Sequence, residues 1–118
     1  MAEHETPRER ARARRLGLNE AVFRAVNERL AGLAEELAPH GERLDLVCEC
    51  GHVDCAERIR VEAAIYEQVR SDSMRFVVVP GHQLPDVEDV VEQRDGYLIL
   101  RKHPGESERV ARATDPRA

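Results

Sequence analysis

The sequence predicts an α+β domain: a long N-terminal helix and a short second helix packed on a small, mostly antiparallel sheet, with a zinc knuckle. Three observations predict it. Phe23, Val26, Leu30, Leu33 and Leu37 recur at steps of three and four, the spacing of one face of a helix. Short alternating or β-branched runs follow at 44–48, 58–61 and 75–79, as strands require. All three cysteines then stand within eight residues, Cys48-Glu49-Cys50-Gly51-His52-Val53-Asp54-Cys55.

At 118 residues the chain has the length of one domain. Its aromatic content is 3%, carried by Phe23, Tyr66, Phe76 and Tyr97, so the core must rest on aliphatic side chains. A thin aliphatic core favours a metal staple. The net charge of -5 is unevenly spread. Residues 1–18 carry five arginines against three acids, while 19–104 carry ten basic and seventeen acidic side chains. An acidic body repels phosphate backbones, which leaves Arg8, Arg10, Arg12, Arg14 and Arg15 as the only route to nucleic acid. No apolar run reaches 18 residues, so no membrane span is expected. The polar start and the clustered, odd number of cysteines point to reduced thiols in the cytoplasm.

The elements follow in order. Residues 1–18 read as a mobile basic arm, although Thr6-Pro7-Arg8-Glu9 has the form of a capping box with proline at the first helical position. Asn19 is the expected N-cap of the long helix, and Pro39 and Gly41 its terminators. Its apolar stripe is expected to pack on the sheet, with Arg24, Glu28, Glu35 and Glu36 facing water. The heptad spacing also suits a dimer seam. A strand over 44–48 enters the knuckle and one over 58–61 leaves it. A second helix is expected over about 62–71 and a buried strand over 75–79, stopped by Pro80-Gly81. Residues 87–91, Asp95-Gly96 and 97–100 fit a β-hairpin, while Val87, Val90 and Val91 equally fit a short helix over 85–92. The domain closes at 104, and 105–118 reads as a flexible tail.

The knuckle carries the chemistry. Structural zinc takes four ligands, usually thiolates and imidazoles. Cys48 and Cys50, two apart on an extended segment, point to one side. Gly51 permits a sharp turn through positive φ, and Cys55 returns a third sulfur. His82, just after a strand at Pro80-Gly81, is taken as the fourth ligand. His52, His103, Asp54, Glu49 or a water are the alternatives. Lone cysteines are often small buried hydrophobes, but three in eight residues beside Glu49 and Asp54 suit that reading poorly. A two-iron cluster held by three Cys and one His places its His a few residues after the last Cys, whereas His82 lies 27 positions beyond Cys55. The His-x-Glu and Pro-Cys-x-x-Cys pair of zinc deaminases is absent. Oxidation of Cys48 and Cys50 to a disulfide on metal release is a compatible redox chemistry. The acidic run Asp86, Glu88, Asp89 and Glu92 reads as a solvated face. Neither a Gly-rich phosphate loop nor a nucleophile elbow is present.

Asn19-Glu20 with Phe23-Arg24 and Asn27-Glu28, then Cys48-Glu49-Cys50-Gly51 with Cys55, Tyr66-Glu67 with Val69-Arg70, Arg75-Phe76, Pro80-Gly81-His82 and Asp115-Pro116-Arg117 together resemble a family of small bacterial proteins of unknown function. The resemblance implies that the three cysteines and His82 belong to one unit, and it implies no activity. The expected function is a non-enzymatic, zinc-binding cytoplasmic module acting through protein contacts, such as a regulatory adaptor. A thiol-based redox or metal-responsive switch, and nucleic-acid association through the arginine arm, are the alternatives; an enzyme with an open zinc position is a further one.

Overall fold

The computed structural model describes residues 5–38 and 41–117. Its order is α1 (Pro7–Leu37), β1 (Arg43–Val47), β2 (Arg58–Glu62), α2 (Ala63–Arg70), β3 (Arg75–Val78), β4 (Glu88–Arg94), β5 (Tyr97–Lys102) and α3 (Glu106–Ala113). The α+β class and its antiparallel pairing hold. The strands divide into two sheets, a β1–β2 hairpin and a three-stranded sheet in the order β3–β5–β4.

The long helix starts earlier than Asn19. Thr6 is extended (φ -73°, ψ 160°), its hydroxyl accepts from the Glu9 N–H at 3.0 Å, and Pro7 fills the first helical position, so the capping signal sets the true start. The expected mobile arm is therefore corrected: residues 7–18 are the first turns of α1, with Ala13 and Leu16 buried beside Val87. At about 1.5 Å per residue the helix is about 46 Å long, the full 46 Å length of the molecule. Pro39, the expected terminator, lies outside the described residues; the helix ends at Leu37.

The buried face of α1 is also corrected. It carries Ala13, Leu16, Gly17, Glu20, Arg24 and Asn27, while Val26, Leu33 and Leu37 are exposed. Arg24, expected in water, is fully buried. Its guanidinium donates to the Ser73 carbonyl (2.6 Å), the Ala111 carbonyl (2.8 Å) and the Thr114 hydroxyl (3.1 Å), and it lies 4.6 Å from the Phe76 ring centre. The cause is the C-terminal segment. Rather than trailing as a tail, it folds into α3 and docks on α1, burying Val110 and Ala111 and offering carbonyls to Arg24.

The main core joins Leu44 and Leu46 of β1, Ile59 and Val61 of β2, Tyr66 and Val69 of α2, Val77 of β3, and Tyr97 and Ile99 of β5. The alternation in β1 and β2 is as read, with polar residues outward and apolar ones inward. Residues 88–102 resolve into the hairpin, with Asp95-Gly96 in its turn. A bulge between Val90 and Glu92 adds Val91 to β4. An extra residue breaks the period of two, which is why the run fits helical spacing as well.

Candidate metal centre

Cys48, Cys50, Cys55 and His82 are brought together: one ligand atom from each lies within 4.8 Å of all the others. This cluster can hold a metal ion. The first three ligands extend the β1–β2 hairpin. The Cys48 N–H donates to the Glu57 carbonyl (2.9 Å) across the hairpin, and the Glu49 N–H donates to Val77 of β3 (2.8 Å). The chain then folds back, with the Cys55 N–H on the His52 carbonyl (3.0 Å). His82 arrives from the other sheet, on the turn that closes when its N–H donates to Val79 (3.0 Å). Gly81 in this turn has φ +96°, a conformation costly for any side chain.

The two imidazole–sulfur distances fit one ion. The His82 Nδ1 lies 3.5 Å from the Cys48 sulfur and 3.6 Å from the Cys55 sulfur. Zinc–sulfur and zinc–nitrogen bonds of about 2.3 and 2.05 Å at a tetrahedral angle require about 3.6 Å between those atoms. A two-iron cluster divides its protein ligands between two irons and holds the pairs further apart than one coordination sphere does. The surroundings fit as well. The Val79 N–H donates to the Cys48 sulfur at 3.2 Å. On the far side of the imidazole, His82 Nε2 lies 3.3 Å from a Glu57 carboxylate oxygen. A carboxylate on that side of the ring, with Nδ1 turned to the sulfurs, is the usual surrounding of a ligating histidine.

The thiols are electrostatically unequal. Cys50 is held down at about 5, first because Cys48 gives it a hydrogen bond, while burial works against it. Cys48 is raised, by that same bond and then by burial, and burial raises Cys55. Cys48 and Cys50 are buried; Cys55 and His82 form the half-exposed rim.

The alternative ligands are placed elsewhere. His52 is exposed, its ring centre 6.1 Å from that of His82. Asp54 is exposed, and His103 sits 3.0 Å from Asp89. Glu49 points the opposite way from its two neighbours and is completely buried. Its carboxylate accepts from the Asn27 amide (2.8 Å), the Tyr66 hydroxyl (3.0 Å) and the Val77 N–H (3.1 Å). Burial raises its pKa, while Asn27, Val77, Arg70 and Tyr66 pull it back. Asn27 also brackets Val47, donating to its carbonyl and accepting its N–H, both at 2.8 Å. Glu49 and Asn27 thus lock the knuckle to α1, α2 and β3, a role the sequence reading missed. The signal was present: alternation along an extended segment sends Glu49 inward when Cys48 and Cys50 face the metal.

The expectation of a positive φ at Gly51 is corrected; the positive-φ glycines are Gly81, Gly96 and Gly105. Gly51 is required for space instead. A Cβ there would stand 2.9 Å from a Leu16 methyl carbon and 3.4 Å from one of Leu84, and the Asn19 amide donates to the Gly51 carbonyl at 3.0 Å.

Of the five arginines read as a nucleic-acid arm, Arg12 is paired with Asp86 (2.7 Å), Arg14 with Glu106 (3.6 Å), and Arg10 donates to the Glu5 carbonyl; Arg8 and Arg15 are exposed. No helix of the described residues is long and apolar enough to cross a membrane. Compared with known proteins, the chain matches no family model, no curated protein and no solved structure.

Proposed function

We propose that the chain is a non-enzymatic, zinc-stabilised module of the cytoplasm that acts through protein contacts. One observation carries the reading: the four donors of Cys48, Cys50, Cys55 and His82 all belong to the protein and lie within 4.8 Å of one another, close enough to share a single ion. Structural zinc sites are closed in this way, whereas catalytic ones keep a position for water. Three thiolates and an imidazole suit zinc, a borderline-soft ion with no preferred d-electron geometry. Bound there, zinc would supply a cross-link between the two sheets, with the Val79 N–H on the Cys48 sulfur and buried Glu49 holding the knuckle in place. Zinc-edge X-ray absorption of the purified protein should return three sulfurs and one nitrogen. An exchangeable oxygen in place of a protein donor would overturn the reading and make the site an open one.

A second reading is favoured by the exposure of Cys55 and His82 at the rim. A peroxide that reaches the site takes two electrons from the Cys48 and Cys50 thiolates, forming their disulfide while it is reduced to water and the ion leaves. Stoichiometric metal release by mild peroxide, recovered with a thiol reductant, would support such a switch. Retention of the metal would exclude it.

A further inference from the structure

Much of the apolar run that the sequence marks as the inner face of α1 is left uncovered by the protein's own sheet; Leu30 packs against the main core, while Val26, Leu33 and Leu37 do not. Val22 is 60% exposed, Val26 40%, Leu33 47% and Leu37 85%. At 3.6 residues per turn these four side chains, with Arg15 and Arg29, fall within a band of about 80° that runs for about 33 Å along the helix. Phe23 and Leu30 border it, half-buried. The band is turned away from the face that meets β1 and α3. Monomeric proteins seldom leave four large aliphatic side chains aligned on one exposed helix face.

We propose that this band is the seam of a homodimer in which α1 packs antiparallel against α1 of a second copy. Charge and register select that occupant. Arg15 and Glu36, both exposed, stand at opposite ends of the strip. With the two-fold axis at Val26, Val26 meets its own copy, Val22 meets Leu30, Leu33 meets Leu18 and Asn19, and Leu37 meets Arg15. Glu36 is then beside the guanidinium of Arg15, and the symmetry makes that pair twice. Parallel pairing would instead set Arg15 on Arg15, Arg29 on Arg29 and Glu36 on Glu36, which is repulsive at each level. The interface is self-complementary, as a two-fold contact must be. Long chain segments need not rearrange, because the described part of α1 already presents the strip. The inference is independent of the metal reading.

Sedimentation velocity of the full, metal-loaded chain across the micromolar range should give twice the 13.4 kDa chain mass. Val26→Glu and Leu33→Glu should each return the single-chain mass, with helix content by circular dichroism and metal content unchanged. Arg15→Glu and Glu36→Arg should each weaken the dimer by about tenfold or more, and the double reversal should restore it. A single-chain mass at every concentration would overturn the proposal and leave the strip to a helix of another protein. A dimer indifferent to Val26→Glu, or a double reversal that fails to rescue, would overturn it equally.

Discussion

Glu49 shows how one residue's environment decides its role. It accepts three hydrogen bonds inside the core, so Glu49→Ala leaves an amide, a hydroxyl and a backbone N–H without an acceptor. Each such loss costs about 1–3 kcal/mol; we expect about 4 kcal/mol in urea unfolding, against about 2 kcal/mol for Glu49→Gln, which keeps one acceptor oxygen. Equal, small losses would show that the carboxylate is not the anchor. A second buried group makes a pH prediction. The Lys102 ammonium lies 2.8 Å from carboxylate oxygens of both Glu20 and Glu88, all three side chains about 1% exposed. One cation cannot neutralise two anions, and Glu20 is raised to about 8, by burial first and also by the charge of Glu88, with Lys102 opposing. A carboxyl whose folded pKa exceeds its ordinary value near 4.5 holds its proton more tightly when folded. Its contribution to stability is complete below about 4.5 and is lost as the pH rises to about 8. Wild type should therefore lose stability relative to Glu20→Gln across that window. A difference that stays flat with pH would contradict the assignment.

At the scale of elements, the readable parts were those whose local chemistry agrees with their packing. β1, β2, α2 and β3 lie within a residue or two of their expected limits because their apolar residues face the core and their ends are marked by turns. The helix N-terminus was written in Thr6, Pro7 and Glu9, but low apolar content argued for a mobile arm. Periodicity misled at α1 because its buried face is polar: Glu20, Arg24 and Asn27 find hydrogen-bond partners there from other elements, which composition does not reveal. The same holds for α3, whose eight residues contain only Val110 and Ala111 as buried apolar anchors. Arg24 is the joint between these elements. Arg24→Met keeps the stem but withdraws the donors from the Ser73 and Ala111 carbonyls, and should cost about 3 kcal/mol. Hydrogen exchange should show α3 opening first. Protection of α3 equal to wild type would mean that the helix docks by its apolar contacts alone. An adjoining network supports the joint: Arg70 donates to Asp115 (3.0 Å), as does Ser73, and Arg117 spans Glu28 and Glu67.

The whole molecule combines one long helix, two short helices and two small sheets, and the candidate metal centre spans the two sheets. Cys48, Cys50 and Cys55 come from the β1–β2 hairpin, and His82 follows β3. The cysteine spacing made three of the clustered donors legible in the sequence; the approach of the fourth, His82, is long-range, and Pro80-Gly81 hinted at it by placing a histidine on a turn. The buried supports of the site had no signature beyond strand alternation. An ion that binds only the folded chain stabilises it by mass action, by about 4 kcal/mol at a thousandfold excess over its Kd. Chelation should thus lower the unfolding midpoint, and acid should do the same, because the thiolates must be deprotonated to bind. The most direct measurement is native mass spectrometry of freshly purified, reduced protein, on wild type and on His82→Ala. The predicted result is one zinc per wild-type chain, lost or markedly weakened in His82→Ala. Wild-type protein without metal, or a variant that holds zinc as tightly as wild type, would contradict the four-ligand centre.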